Sequence, residues 1–505
     1  MKKIDIFFND VINYKFFMLM NREYITIFLS VFILFLLISF ISGYIPVSDG
    51  AGWDGSIYYN YAQILAAGGD ISGDPYREIR MPAFFPIILA IKFGANHSQI
   101  IIIQAILNSI LLAASASLLY ATFLELGLQK KISILSLAAL ILTWPFIVMP
   151  VFYPILSDHA ALATSCLCLW CWSKSQRWAL CVISAASLWI IPGSFLIPLI
   201  LSAFPLRAQG AQAVPRYKYR ISARILATVL ISISIFFFIV PYLLSIPQDK
   251  ILAHATDKDG VTALMELRSL SLLSISAAVL FVVWIYISIL TNINTWKAVS
   301  YKYLTLSFVA TLSSAYFMYS CIDWSSGFAG PPLFLNMALQ SLALPFKPLV
   351  SHFLNLTPTI IPALIVVAKY SFGGQKNTPI GLLVIFSAFI PFLLFGSESR
   401  QWIGVLPILV TIFAMSEFSY AQRKWCLLVS IALISPLLWL NKKTITALQS
   451  GASFQSDEWQ FYFGRQGPWM SIDSYEIGLA SIAVFIAGHL LFSTYSLKNY
   501  PLKIW

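Results

Sequence analysis

The chain has 505 residues, of which 59% are hydrophobic and only 10% charged, with a mean hydropathy of +0.80. Soluble domains carry about 25% charged residues, so a water-soluble fold is excluded and the bilayer is the expected solvent. The formal net charge of +11 is spread over short segments between apolar runs, the pattern of topology signals, which argues against nucleic acid as a partner.

Lys2, Lys3, Lys15 and Arg22 precede the first apolar run. They place the N-terminus in the cytoplasm and make Ile25 to about Ile45 a retained first span. A long outer loop, 46–96, follows. A second span, Ile100–Leu124, returns to Lys130 and Lys131, and a third, Ile132–Met149, leads out to FYPILSDH. A fourth runs back to Ser173–Arg177. Trp178–Phe204 is apolar but broken at Pro192–Gly193, and both its flanks are basic. Two short helices meeting at the break satisfy that pattern.

Further spans are expected at Ile221–Leu244, Leu270–Leu290, Tyr303–Cys321, Leu354–Tyr370, Pro379–Phe395, Trp402–Phe418, Trp425–Leu440 and Ile477–Tyr495. The total is about fourteen spans by window hydropathy, two of them short. The fold class is an all-α polytopic membrane protein, a single transmembrane domain over 1–505. The long segments, 46–96, 246–268, 322–352 and 441–475, all fall outside and hold most of the acidic and aromatic residues. Function therefore faces away from the cytoplasm. Cys166, Cys168 and Cys171 read as small packing residues within a span, and no disulfide framework is evident.

The first outer loop carries the densest chemistry. From Asp54, DGSIYYNYAQILAA has a helical pattern, so Asp54, Tyr58 and Tyr61 share one face. A carboxylate beside phenol rings suits a sugar or a lipid headgroup. A helix N-cap explains Asp54 equally well, and the two roles are compatible. Asp49 is explained by turn chemistry. Arg77 and Arg80 lie on the outer side, where the positive-inside rule disfavours arginine. A phosphate at headgroup level supplies the reason; pairing with Asp74, Glu78 or ordinary lipid phosphates is the alternative. Asp158 opens the fourth span at the outer face, as a cap or as a functional carboxylate. Glu398 and Arg400 open a late span on the same side, and mutual pairing would account for them.

Three segments distant in sequence thus send carboxylates and arginines to one side of the membrane. WDGSIYY, REIRMPAFFP, SDHAA and SRQWIGVLP resemble the motifs of the GT-C superfamily of polytopic glycosyltransferases. The likeness is to its protein mannosyltransferase, aminoarabinose transferase and O-antigen glucosyltransferase branches. It covers the first 200 or so residues best. Gly55 stands where several members place a glutamate after the aspartate, which weakens transfer of a metal-dependent reading. The resemblance implies a GT-C-like helical bundle whose extracytoplasmic loops carry short helices.

It further implies inverting transfer of a sugar from a polyprenyl-phosphate-linked donor to a lipid-linked glycan or lipopolysaccharide acceptor, on the periplasmic face of a bacterial inner membrane. Asp54 is then the expected general base. Asp158 assists in positioning or is an alternative base. Arg77, Arg80 or Arg400 stabilises the phosphate, and Tyr58, Tyr61 and Glu398 complete the substrate-binding set. The donor tail would lie in a groove between spans bordered by the apolar segment 322–352. Membrane lipids are the remaining partners. No cofactor is expected, and no ligand cluster for a divalent metal is evident in the sequence. Two rivals stay open: an O-antigen polymerase or ligase using the 441–475 loop with Lys442, Asp457 and Arg465, and a lipid or sugar transporter.

Overall fold

The computed structural model describes residues 22–206, 217–253, 260–325, 327, 332–374, 378–452 and 470–496. Those residues form helices joined by turns. The one β-feature among them is an isolated antiparallel bridge between Tyr217 and Asn292. The apolar run near the N-terminus forms α1 (Arg22–Ser42), whose 21 residues reach about 31 Å at 1.5 Å per residue. The 46–96 segment folds into α2 (Trp53–Ala66), a single turn α3 (Pro75–Glu78) and α4 (Phe85–Lys92). Next come α5 (His97–Glu125), α6 (Lys130–Ile141), α7 (Asp158–Ser173), α8 (Arg177–Ser187) and α9 (Leu196–Ala203). The second half contains α10 (Ile221–Ser245), α11 (Gly260–Thr291), α12 (Tyr301–Cys321), α13 (Leu333–Ala343), α14 (Lys347–Asn355) and α15 (Ile360–Ser371). It ends with α16 (Ile380–Phe395), α17 (Leu406–Met415), α18 (Tyr420–Gln449) and α19 (Ile472–Ser496).

Among the described residues six helices are long and apolar enough to cross a membrane: α1, α5, α10, α12, α19 and the Glu266–Thr291 part of α11. Counting each of two bent pairs as one span raises the number to eight. Phe237 and Phe238 of α10 are each 75% exposed beside other bare apolar side chains. Water does not tolerate such a face over a whole helix, whereas lipid does. These helices mark a multi-pass membrane protein.

The expectation of about fourteen spans is not met. Hydropathy windows register apolar composition, but several of those stretches form helices of 10–17 residues, among them α8, α15 and α16. At 1.5 Å per residue these fall short of a hydrocarbon core of about 30 Å. Others bend. The third span breaks into α6 and Trp144–Phe152 at 73°, where Pro145 and Pro150 withhold backbone donors. The two short helices expected within Trp178–Phe204 are α8 and α9, separated by a turn that begins at Pro192.

Two segments expected to lie outside also differ from expectation. The 322–352 segment is not an open loop: α13 and α14 form an elbow of 94° whose inner residues, including Gln340, Lys347 and His352, are buried. The segment 441–475 begins as helix, because α18 continues to Gln449. Asp457 and Arg465 lie outside the described residues.

Packing centres on α5, which lies against α1 and α7. Its AASAS stretch buries Ala113, Ser115, Ala116 and Ser117, small residues that let helix backbones approach. Asn108 of α5 uses its amide on the carbonyls of Pro150 and Pro154, at 3.1 and 2.9 Å. Ile45 N–H donates to the Phe152 carbonyl at 2.8 Å. These bonds satisfy backbone freed by the proline breaks and fix the segment that carries Tyr153.

Candidate active site

Helix α2 begins against Tyr153. Gly52 and Gly55 are needed there, because a Cβ at Gly52 would lie 2.3 Å from the Tyr153 ring and one at Gly55 would lie 2.9 Å from the Ile155 carbonyl oxygen. The glycine after Asp54 is therefore a packing requirement. The Tyr153 hydroxyl accepts from the Asp54 N–H at 2.8 Å and from the Gly55 N–H at 3.4 Å, which occupies two donors at the helix start.

Asp54 is not the cap. The N-cap is Gly52, with no side-chain capping bond. Its carboxylate is instead gripped from both sides: Arg77 Nη2 donates to Oδ1 and Arg400 Nη2 to Oδ2, each at 2.7 Å. Burial alone would push this carboxyl up, but the charges and hydrogen bonds of Arg400 and Arg77 outweigh it. The group ends far below the usual carboxylate range. Asp54 is thus ionised at neutral pH.

Arg77 also pairs with Asp74, so one of the alternative partners expected for it is present. Asp74 caps α3 by accepting from Tyr76 N–H at 3.1 Å, and Glu78 accepts from Asp74 N–H at 3.1 Å. This reciprocal pair holds the turn that presents both arginines. Arg80 differs. It is 5% exposed, lies 3.8 Å over the Tyr76 ring and is 3.5 Å from the Tyr58 hydroxyl. Among the described residues it has no ion pair and its Nε has no hydrogen-bond partner. Burial pushes the Tyr58 hydroxyl up to about 12, against the opposing charge of Arg80, so that phenol stays neutral. Tyr61 is half-buried and makes no hydrogen bond among the described residues.

Asp158 does not cap α7; that role falls to Ser157, without a side-chain bond. Asp158 is 2% exposed, its Oδ1 lies 3.7 Å from Arg400 Nε, and its Oδ2 has no hydrogen-bond partner among the described residues. It stands behind Arg400 and Asp54 in front.

Glu398 does not pair with Arg400. It accepts from Asn336 and Gln340 of α13, at 3.3 and 3.0 Å, and from Gln401. The α13–α14 elbow holds the rest of this loop as well. Ser397 N–H donates to Gln340 Oε1 at 2.5 Å, and Ser351 Oγ donates to the Ser397 carbonyl at 2.5 Å. The buried His352 ring joins the Gly396 carbonyl and the Ser399 hydroxyl, each at 2.8 Å. The carbonyl can only accept, so Nε2 carries the proton and Nδ1 accepts from Ser399.

The structure thus brings Asp54, Arg77, Arg400 and Asp158 into one ion-pair network, with Arg80 and Tyr58 beside it. Glu398 belongs to the support of Arg400. Sequence reasoning missed Tyr153, Tyr76 and the elbow residues Gln340, Ser351 and His352. The one available signal was FYPILSDH, which places Tyr153 at the outer end of a broken span. Among the described residues no three His, Cys, Asp or Glu side chains converge as a metal site.

Comparison of the chain with protein-family models, with curated proteins and with solved structures returns no match.

Proposed function

We propose that this protein is an inverting membrane glycosyltransferase that uses a lipid-phosphate-linked sugar, with its site on the extracytoplasmic face. The observation that carries the reading is the Asp54 carboxylate held between Arg77 and Arg400, next to a buried arginine that lacks an ion pair. A transferase of this kind needs a base for the acceptor hydroxyl and cations for a phosphate leaving group. It needs no carboxylic acid for that leaving group, because the phosphate departs as a stable anion.

In the reaction the acceptor oxygen bonds to the anomeric carbon on the face opposite the phosphate. The carbon–oxygen bond to the phosphate breaks, its electron pair leaves with the phosphate, and the acceptor proton passes to Asp54. A carboxylate paired with two guanidiniums is a weak base. A donor phosphate that engages Arg80 and draws on Arg400 relieves part of that pairing, so donor binding raises the basicity of Asp54 at the moment it is used. Asp158 keeps Arg400 in place during the exchange.

An apolar cavity of about 320 Å³ supports a lipid-linked donor. It is lined by Ile275, Phe281, Phe346, Leu349, Leu364 and Leu394 among others. It shares the α13–α14 elbow with the Arg400 loop: Ser341 lines the cavity, and the adjacent Gln340 holds Glu398. On this reading the protein resides in a bacterial inner membrane with the site in the periplasm, and the acceptor is a lipid-linked glycan or lipopolysaccharide. The test is Asp54→Asn in a sugar-transfer assay on membranes. Loss of transfer at normal expression is expected, and near-wild-type activity would sink the assignment.

A further inference from the structure

A second cavity, a cleft of about 810 Å³, lies between the 43–53 segment and the C-terminal end of α18. Its size is within the range of roughly 300–1,000 Å³ typical of small-molecule sites. The rings of Tyr44 and Trp53, the carboxylate residue Asp49 and the amide residue Gln449 line it, with Pro46 and Leu448. The side chains of Asp49 and Gln449 are exposed and make no hydrogen bond or ion pair among the described residues. Among the described residues no lysine or arginine lines the cleft.

That set discriminates between ligands. A phosphate or an anionic headgroup would meet Asp49 with no cation among the described lining residues to offset it. A purely apolar chain would strip water from a carboxylate and an amide and return no hydrogen bonds. A neutral polyhydroxylated ring suits both features: its C–H faces lie on indole and phenol rings, and its hydroxyls donate to the carboxylate and amide.

The loop is also built to hold its shape. Ser48 and Asp49 adopt φ of 48° and 50°, which L residues rarely do. They are kept there by the Ala51 N–H to Ser48 carbonyl bond at 3.0 Å, the Gly52 N–H to Val47 carbonyl bond at 2.9 Å, and the His97 ring 3.2 Å from the Asp49 carbonyl. The cleft leads to the ion-pair network. Trp53 lines it, Asp54 is the next residue of α2, and both meet Tyr153, Trp53 edge-on with ring centroids 6.3 Å apart.

We propose that this cleft is a glycan subsite, with Tyr44 and Trp53 as its stacking rings and Asp49 and Gln449 as its hydrogen-bonding groups. As the seat of the acceptor glycan it rests on the transferase reading above; as a carbohydrate site it does not.

The test is saturation-transfer NMR on the full chain, purified in a detergent without a sugar headgroup, with maltose, lactose, cellobiose and chitobiose as probes. At least one disaccharide is expected to receive saturation from the wild type. Asp49→Asn and Gln449→Ala, both at exposed positions, are expected to weaken that binding tenfold or more without lowering the unfolding midpoint. No transfer to any of the four probes, or equal binding by both variants, overturns the proposal. Arg80→Ala separates the two readings, because it should retain disaccharide binding while losing sugar transfer. Binding by the wild type with no sugar transfer from any lipid-phosphate donor would sink the transferase reading and leave the subsite standing.

Discussion

Replacing Gly52 by alanine isolates the close approach that seats Asp54. Gly52 holds φ 74° and ψ −174°, a region essentially reserved for glycine that costs other residues of the order of 1–3 kcal/mol. The added Cβ would also lie 2.3, 2.5 and 2.9 Å from three carbons of the Tyr153 ring, against an optimum of about 3.5–4.0 Å. Overpacking of that kind adds about 1–3 kcal/mol, so Gly52→Ala should cost about 2–6 kcal/mol in total. In a Tyr153→Ala background the ring is absent, and only the backbone part, about 1–3 kcal/mol, should remain. Cys166, Cys168, Cys171, Cys181 and Cys426 are buried free thiols, so a thiol-reactive dye reports thermal unfolding in detergent. An unfolding entropy of roughly 2 cal/mol/K per residue makes each kcal/mol worth about 1 °C in a chain of this length. The expected drop is therefore about 2–6 °C in the wild-type background and about half that without the ring. Equal drops in the two backgrounds would refute the steric account, and no drop in either would refute the backbone conformation as well.

Three further outcomes follow from the site. Asp54 is held far below its unfolded value of about 3.9, so its contribution to stability is complete above about pH 4 and is lost as pH falls through the lower folded value; unfolding midpoints of wild type and Asp54→Asn should run parallel from pH 5 to 8 and converge only in acid, and convergence already near pH 6 would contradict the pairing. Arg80→Ala removes the guanidinium proposed to meet the donor phosphate, a loss of about 1.5–3 kcal/mol or roughly 10–100-fold in KM for donor; an unchanged donor dependence counts against that role. His352→Ala deletes the His352 bonds to Gly396 and Ser399, leaving only the Ser351–Ser399 hydroxyl contact between Ser399 and α14, costing about 2–3 kcal/mol of stability and lowering kcat through a looser Arg400; His352→Gln should recover part of kcat, and an unaffected kcat in the alanine variant would separate Arg400 from the elbow.

The helical class of the molecule was legible because apolar composition over long windows is a direct image of the solvent that surrounds it. The members of the ion-pair network were legible for a related reason. Arg77 falls in a segment expected on the side where the positive-inside rule disfavours arginine, and an exception to a charge rule is visible without coordinates. Tyr153 and His352 were not. An aromatic or a lone histidine in an apolar stretch looks like packing until its partner is known, and their partners are 99 and 47 residues away. The cap alternative for Asp54 and Asp158 fails because an aspartate near a helix start satisfies the same pattern one or two positions inside it, where it still gains from the helix dipole. Span number suffered most, since hydropathy records neither a proline bend nor a helix that stops at twelve residues, as α15 does.

The bond between Asp54 and Arg400 joins residues 346 positions apart. At ribosomal rates of 5–20 residues per second, roughly 17–70 s separate the emergence of one from that of the other. Through that interval Asp54 can meet Arg77 and Tyr153 but not Arg400, and the network closes only once the late loop has been made. A chain interrupted anywhere before the late loop therefore carries an incomplete charge cluster. Loss of the Asp54–Arg400 contact is then a chemical mark of an unfinished chain that an experimenter with a stalled nascent chain can read.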